Sequence, residues 1–374
     1  MTAMHFPERI FIDSAATRYP LTQEILKRLA GVPVEVVPSE DLMISRISAS
    51  PDPVAEGKKN LFLTVQKGEF VKPCPCTPGY LGCDYFIVNL GLNCPLDCSY
   101  CILQDYLASR PVTVFVNLDD LRRQLDGFIA GLGNKTVRLG TGELADSLAL
   151  DPITGLSRDL ISYFRAKTRV VFEMKTKTVD IAHIMASEPA ENIVVSWSLN
   201  APSVAAAEEK GAPPIGLRIQ AAGRVAGAGF GVGFHFDPLI RFPGWEREYA
   251  GVVEDLFRIV PASRVRWVSL GSLRFPPSLK AVIRSRFPGT RILWDEFIRG
   301  RDGKFRYFKP IRLELYRKIA AELRVRGGEG LRVYFCMEDE ETWREALKRK
   351  PGGKEDIGRF LSTPVDHVIE SSRS

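Results

Sequence analysis

Three cysteines, Cys94, Cys98 and Cys101, stand as C-x3-C-x2-C directly behind the apolar run Phe86–Leu92. That run reads as a strand. Thiols crowded just beyond a strand end point to a ligand that gathers them. Ordinary iron–sulfur sites take four cysteines. A three-cysteine site leaves one coordination position open for chemistry, as catalytic zinc sites do. The spacing therefore points to a [4Fe-4S] cluster with one iron free of protein ligand. Two alternatives use the same residues: buried thiols that share no ligand, or, with Cys74, Cys76 and Cys83 added, a zinc-binding module.

The rest of the composition narrows the class. Of the seven cysteines, six lie between residues 74 and 101, which argues for metal or redox chemistry and against a disulfide framework. Hydrophobic content of 45% and charged content of 26% are those of a soluble globular protein. No apolar run approaches the roughly 18 residues that would span a bilayer. The stretch Met1–Arg9 lacks the apolar segment of a secretory signal. The expectation is a cytoplasmic protein with no membrane partner. A net charge of +6 permits an anionic partner without demanding one.

Along the chain, Arg9–Asp13, a helical repeat of Leu21, Ile25, Leu26 and Leu29, and Val34–Val37 form a small β-α-β unit. A polar connection over 38–60 leads to the Cys74–Cys83 stretch. From residue 86 strand-like and amphipathic runs alternate. The strands are expected at Phe86–Leu92, Thr136–Leu139, Val170–Met174, Ile193–Ser198, Gly231–Phe236 and Val265–Leu270. The helices are expected at Leu118–Leu132, Ser157–Ala166, Gly216–Ala226, Tyr249–Val260 and Pro277–Phe287. Strands linked by helical crossovers give a parallel sheet, so the fold class is α/β, a partial (β/α)6 barrel with its ligands at the C-terminal strand ends. Phe297–Phe308 carries an Asp-Gly turn at 302–303 and reads as a hairpin. Pro310–Arg326 reads as a helix, Arg332–Cys336 as a strand and Glu341–Lys348 as a last helix. The expected units are 1–70 (small α/β unit and linker), 71–290 (barrel), 291–362 (hairpin and helical extension) and 363–374 (loose tail).

The cysteine spacing is similar to the signature of the radical S-adenosylmethionine (radical SAM) superfamily. Over nearly its whole length the chain also resembles the spore photoproduct lyase family. The likeness runs from Arg18–Leu21 through the cysteine loop and Gly140–Asp146 to Lys175, Trp197–Asn200, Arg218, Gly231–Pro238 and the hairpin. The resemblance implies a cluster whose open iron chelates SAM, and a 5′-deoxyadenosyl radical that takes a hydrogen from the substrate. It also implies an electron donor of the flavodoxin or ferredoxin type. In that family the radical opens a thymine dimer in DNA, a cysteine returns a hydrogen, and tyrosines relay it. Here Gly140 stands at the cysteine's place, and Ile102 at one of the two tyrosine places; Tyr100 holds the other and is the catalytic candidate. The lesion-specific half of the chemistry therefore does not carry over.

The resemblance also assigns the cofactor contacts. Gly142 lets backbone approach SAM, Thr141 and Glu143 accept from its ammonium, Lys175 pairs with its carboxylate, Ser198 adds a contact, and Asp237 lies by adenine or substrate. Each has a plainer reading as a turn, a strand-end charge or a backbone cap. Cys74, Cys76, Cys83 and Cys336 are either a second metal site, a hydrogen donor or reduced structural thiols, the last being preferred. His235, between Phe234 and Phe236, reads as a satisfied core histidine. The glycines at 227, 229, 231 and 233 lie in the reverse of the dinucleotide-binding order and read as turn punctuation. The 299–309 hairpin interleaves Arg299, Arg301, Lys304, Arg306 and Lys309 with Phe305 and Tyr307, a pattern that suits phosphate and bases. The expected activity is a lyase-like radical SAM reaction on a nucleic-acid substrate. The rival is a non-catalytic iron–sulfur protein that binds nucleic acid.

Overall fold

The computed structural model describes residues 6–77 and 79–362; the expected loose tail, 363–374, lies outside the described residues. Two sheets organise the chain. The larger runs in the order Val333–Phe335, Val265–Ser272, Gly231–Leu239, Ile193–Ser198, Val170–Thr176, Val137–Gly140, Tyr85–Val88 and Val71–Pro73. All neighbours are parallel except the last pair, which is antiparallel. The strands bury both faces, and Val194, Val195, Phe234 and Leu270 have no exposed surface. That is why they read as continuous apolar runs without alternation. Helices Leu118–Ala130, Leu156–Phe164, Ile215–Gly227 and Trp245–Ile259 cross between successive strands, and the sheet curls into a half-barrel.

A second sheet takes the order Val34–Val37, Arg9–Asp13, Asn60–Thr64, Val112–Phe115 and Gly91–Leu92. The polar connection expected over 38–60 is instead two short helices, Glu40–Ser48 and Pro53–Lys59, and a buried strand, Asn60–Thr64. Each helix buries few apolar residues (Met43 and Ile47, then Val54), too sparse a pattern to stand out.

The strand expected at Phe86–Leu92 is two strands in different sheets. Tyr85–Val88 joins the barrel, whereas Gly91 and Leu92 pair antiparallel with Val114 and Thr113. The crossing depends on Gly91, where a β-carbon would overlap the Thr113 carbonyl. The hairpin forms as expected, Phe297–Arg299 against Phe305–Tyr307, with Arg274–Phe275 as a third strand. Helix Lys354–Ser362 follows the expected last helix. Among the described residues no helix is long and apolar enough to cross a membrane.

Candidate active site

Asn93 turns the chain into the cysteine loop. At φ +68° it accepts from the Cys94 N–H at 2.8 Å and donates to the Arg110 carbonyl at 2.7 Å. Asparagine tolerates this left-handed backbone better than most residues. The buried ammonium of Lys58 donates to the carbonyls of Cys94 (2.9 Å) and Leu96 (2.6 Å). Gln104 donates to those of Cys98 (2.8 Å) and Ser99 (2.9 Å). On the barrel side Ser99 donates to Glu208 and Tyr100 to Glu209, while Arg286 grips Asp97 with two bonds of 3.0 Å. Glu209 pairs in turn with the fully buried Arg218 at 2.5 Å. The loop is thus held at both its backbone and its flanks.

Cys94 and Cys98 are buried in one packed cluster with Leu96, Leu103 and Ala149, and partly buried Cys101, Leu144 and Ile102 pack against it. Burial pushes the Cys94 thiol up to about 12, and the charges of Asp146 and Cys101 add to it. Cys98 is pushed up by burial, and by the charges of Glu209, Cys101 and Cys94 against that of Lys177. Left alone, Cys94 and Cys98 would stay protonated. A cationic iron core supplies the charge that makes buried thiolates tolerable. The donor set therefore fits a [4Fe-4S] cluster. Among the described residues, no three His, Cys, Asp or Glu side chains are grouped to grip one metal ion. The zinc-module alternative finds no group of that kind. A cube of irons asks for less, since each thiolate binds its own iron.

The Gly140–Asp146 loop packs directly on the cysteine loop, where the Asn93 N–H donates to the Leu144 carbonyl at 2.8 Å. Glu143, on this loop, lies 3.6 Å from the ammonium of Lys175 on the next strand. Despite burial, the charge of Glu143 and then that of Glu173 hold the Lys175 pKa above its usual value. The two residues thus form a paired anion and cation, the anion on the loop that packs against the cysteine loop. Gly142 is where the loop meets Lys175. A β-carbon there would meet the Lys175 β-carbon at 2.6 Å and carbonyl at 3.0 Å, so the glycine lets the loop lie against Lys175. The Thr141 hydroxyl donates to Ser147 at 2.7 Å, and Ser147 accepts from the Lys175 N–H at 3.0 Å. Both residues position Lys175. Asp146, not singled out from sequence, accepts from Leu148, Ala149, Thr176 and Lys177 and fixes the loop's return. A lone aspartate before small residues gave only a turn signal.

Ser198 ends its strand and its carbonyl accepts from Arg218 at 3.0 Å. The Asp237 carboxylate is paired in the structure. Arg274 grips both its oxygens, at 3.0 and 3.1 Å, and also donates to the Cys336 sulfur at 3.5 Å. The sequence held no sign of this pair, which forms because Arg274 lies just past the end of Val265–Ser272, the strand beside the one that bears Asp237.

Beneath the rim, Glu173 accepts from Ser196 (2.5 Å), Trp267 (3.2 Å) and Arg138 (3.2 Å) and hydrogen-bonds His235 at 2.7 Å. His235 is buried and satisfied, as read from the sequence. All seven cysteines are free. Burial pushes Cys74 up to about 12, helped by the charges of Glu143 and Cys83. Burial raises Cys83 and Cys336 too. Among the described residues no three of these outer cysteines are grouped to hold one metal ion.

The hairpin is less open than its composition suggests. Arg306 is buried, paired with Asp302 at 2.8 Å and stacked on Tyr80 at 4.1 Å. Tyr307 is fully buried, and Lys309 is tied to Glu341 and Glu345 at 2.5 and 3.0 Å. Arg299 and Arg301 remain exposed. Burial and ion pairing therefore leave three of the hairpin's five cations, exposed Arg299 and Arg301 and half-buried Lys304.

A family model described as spore photoproduct lyase matches residues 5–324. The chain belongs to the spore photoproduct lyase family. It is accordingly an enzyme of the radical SAM class, lyase in type. The spore photoproduct lyase of Geobacillus sp. is 26% identical over 304 residues, covering 78% of this chain and 85% of the relative. That of Bacillus subtilis is 24% identical over 299 residues, with coverages of 78% and 85%. A solved spore photoproduct lyase variant with AdoMet and a dinucleoside spore photoproduct bound has a TM-score of 0.79 and 26% identity, covering 88% of this chain and 98% of that one. Another, complexed with the dinucleoside lesion, has a TM-score of 0.78 and 25% identity, with coverages of 88% and 99%.

Proposed function

We propose that this chain cleaves SAM reductively at a [4Fe-4S] cluster on Cys94, Cys98 and Cys101 and abstracts a hydrogen from a nucleic-acid substrate. The observation that carries the reading is the contact between the two loops. It brings the loop that carries Glu143, the ion-pair partner of Lys175, against the loop of the three cysteines. When bound, the cluster and SAM supply an electron and a 5′-deoxyadenosyl radical. Lys175 would hold the SAM carboxylate and Glu143 its ammonium, each exchanging its present partner for a matching charge. Ser198 would line the next strand end. Tyr100, its hydroxyl committed to Glu209, would brace the cysteine loop and shut water from the sulfurs.

Where the resembled family has its hydrogen-returning cysteine this chain has Gly140, and it has Ile102 in place of a second tyrosine. Neither side chain holds a readily transferred hydrogen. The substrate radical is therefore quenched by another group, and the substrate differs from the spore-type thymine lesion. Free thiols throughout suit the reducing cytoplasm, with a flavodoxin or ferredoxin as electron donor.

The test is anaerobic turnover of reconstituted protein with SAM and a reductant, with undamaged or lesion-bearing DNA. 5′-Deoxyadenosine is the expected product, lost when Cys94, Cys98 and Cys101 are all alanine. No 5′-deoxyadenosine from wild type, with DNA still bound, would favour the non-catalytic reading. Deuterium passing from a labelled thymine lesion into deoxyadenosine would overturn the substrate assignment.

A further inference from the structure

Five tryptophans differ sharply in exposure. Trp197, Trp245, Trp267 and Trp343 are 3% exposed or less, whereas Trp294 is 74% exposed. An indole left this open has little to do with folding, since it gives up most of its burial energy. Trp294 also stands on a fixed base. Its neighbour Asp295 pairs with Arg241 at 3.1 Å, and the Arg241 N–H donates to the Tyr307 hydroxyl at 3.2 Å. Arg241 follows the Gly231–Leu239 strand, which bears Asp237 near its end. The ring is therefore carried at the C-terminal rim of the barrel, where the candidate site opens.

Its surroundings are cationic. The Arg291 guanidinium lies 5.2 Å from the ring centroid. Exposed Arg299 and Arg301 follow along the hairpin, and among the described residues none of the three arginines has a carboxylate partner. We propose that Trp294 is a platform on which an unpaired base of the nucleic-acid substrate stacks, while Arg291, Arg299 and Arg301 take the adjoining phosphates. The proposal rests on the nucleic-acid reading above and adds a residue outside the hairpin pattern read from sequence. A ring with one exposed guanidinium beside it, and two more on the hairpin that follows in the chain, suits a base and its phosphates, because every base offers a π-face and every linkage a charge. The core of a protein interface is instead depleted in charge.

Trp294 can be followed by itself, because the other indoles are sealed. Oligothymidylate added to the full chain should quench its emission and shield it from acrylamide. Trp294→Ala should weaken oligothymidylate binding by about 5- to 150-fold, the loss expected for one base–aromatic stack. Trp294→Phe should recover part of it. Unchanged far-UV circular dichroism and melting would show that both variants fold. If wild type binds and Trp294→Ala binds equally well, the platform is wrong and the nucleic-acid reading survives. If neither single- nor double-stranded DNA binds wild type, that reading fails and the platform with it. Loss of flavodoxin binding in Trp294→Ala, with DNA binding intact, would overturn the proposal in favour of a protein contact.

Discussion

The hydroxyl of Tyr85 occupies the space that a side chain on Gly140 would need. A β-carbon built on Gly140 would overlap that oxygen, lie 2.7 Å from the ring Cζ, and meet the Glu173 carbonyl at 2.8 Å. Tyr85 is buried and cannot swing aside freely, since its ring lies over the Arg138 guanidinium at 5.1 Å. Gly140→Cys should therefore overpack this position and cost about 1–3 kcal/mol in denaturant unfolding. Combining it with Tyr85→Phe should relieve part of the strain, giving a non-additive cycle of about 0.5–3 kcal/mol. The single cysteine should not bring back reversal of the thymine lesion. A fully stable Gly140→Cys protein would show that Tyr85 yields.

Lys58 bears on cluster assembly in a way that its position in a short helix would not suggest. Its ammonium is buried and donates to two loop carbonyls, those of Cys94 and Leu96. Lys58→Met keeps the length of the side chain but strands both acceptors. Hydrogen bonds to a charged group contribute about 1.5–3 kcal/mol each, so the loop should loosen by at least that amount. Iron and sulfide content after anaerobic reconstitution is expected to fall well below wild type, while the barrel remains folded by circular dichroism. Full occupancy in Lys58→Met would mean that the loop forms without this support.

Exchange of ion-pair partners makes the Glu143–Lys175 pair sensitive to charge more than to shape. Lys175→Met and Glu143→Gln should each weaken SAM binding by about tenfold or more, close to 1.4 kcal/mol, in equilibrium dialysis of the holoenzyme. The double variant should lose less than the sum, because each partner is already released by loss of the other. Equal affinity in all three variants would remove both residues from the cofactor site.

These relationships divide into those that spacing reveals and those that only folding makes. The cysteine trio was legible because its ligand dictates a short interval along the chain. The parallel strands were legible because burial on both faces demands unbroken apolar runs. Asp237 and Arg274 were not, since Arg274 reaches Asp237 from just beyond the end of the adjacent strand and neither sits in a local pattern. The Tyr85–Gly140 contact likewise arises from register, where Tyr85 faces Arg138 and Ile87 faces Gly140. Arg306 looked like a solvated hairpin cation because composition carries no information about Tyr80 and Asp302 closing over it.

Acid should unfold the protein through Glu173. Burial by itself pushes this carboxyl up, but His235 and Arg138 beside it, with hydrogen bonds from His235 and Ser196, outweigh burial and hold it below the usual carboxylate range. Its folded pKa is therefore lower than its unfolded value of about 4.3, and the native state binds fewer protons there. The stabilisation is complete above that unfolded value and is lost as pH falls below it towards the folded pKa. Asp237, held down by Arg274 against burial, has the same sign. The denaturant midpoint should thus be level near pH 7 and drop below about pH 4. Glu173→Gln should flatten that acid slope, and should cost about 3–5 kcal/mol at neutral pH because it leaves Arg138 buried without its counter-charge. If the variant keeps the wild-type slope, the protons taken up on acid unfolding go to other carboxylates, and the network beneath the rim does not govern acid stability.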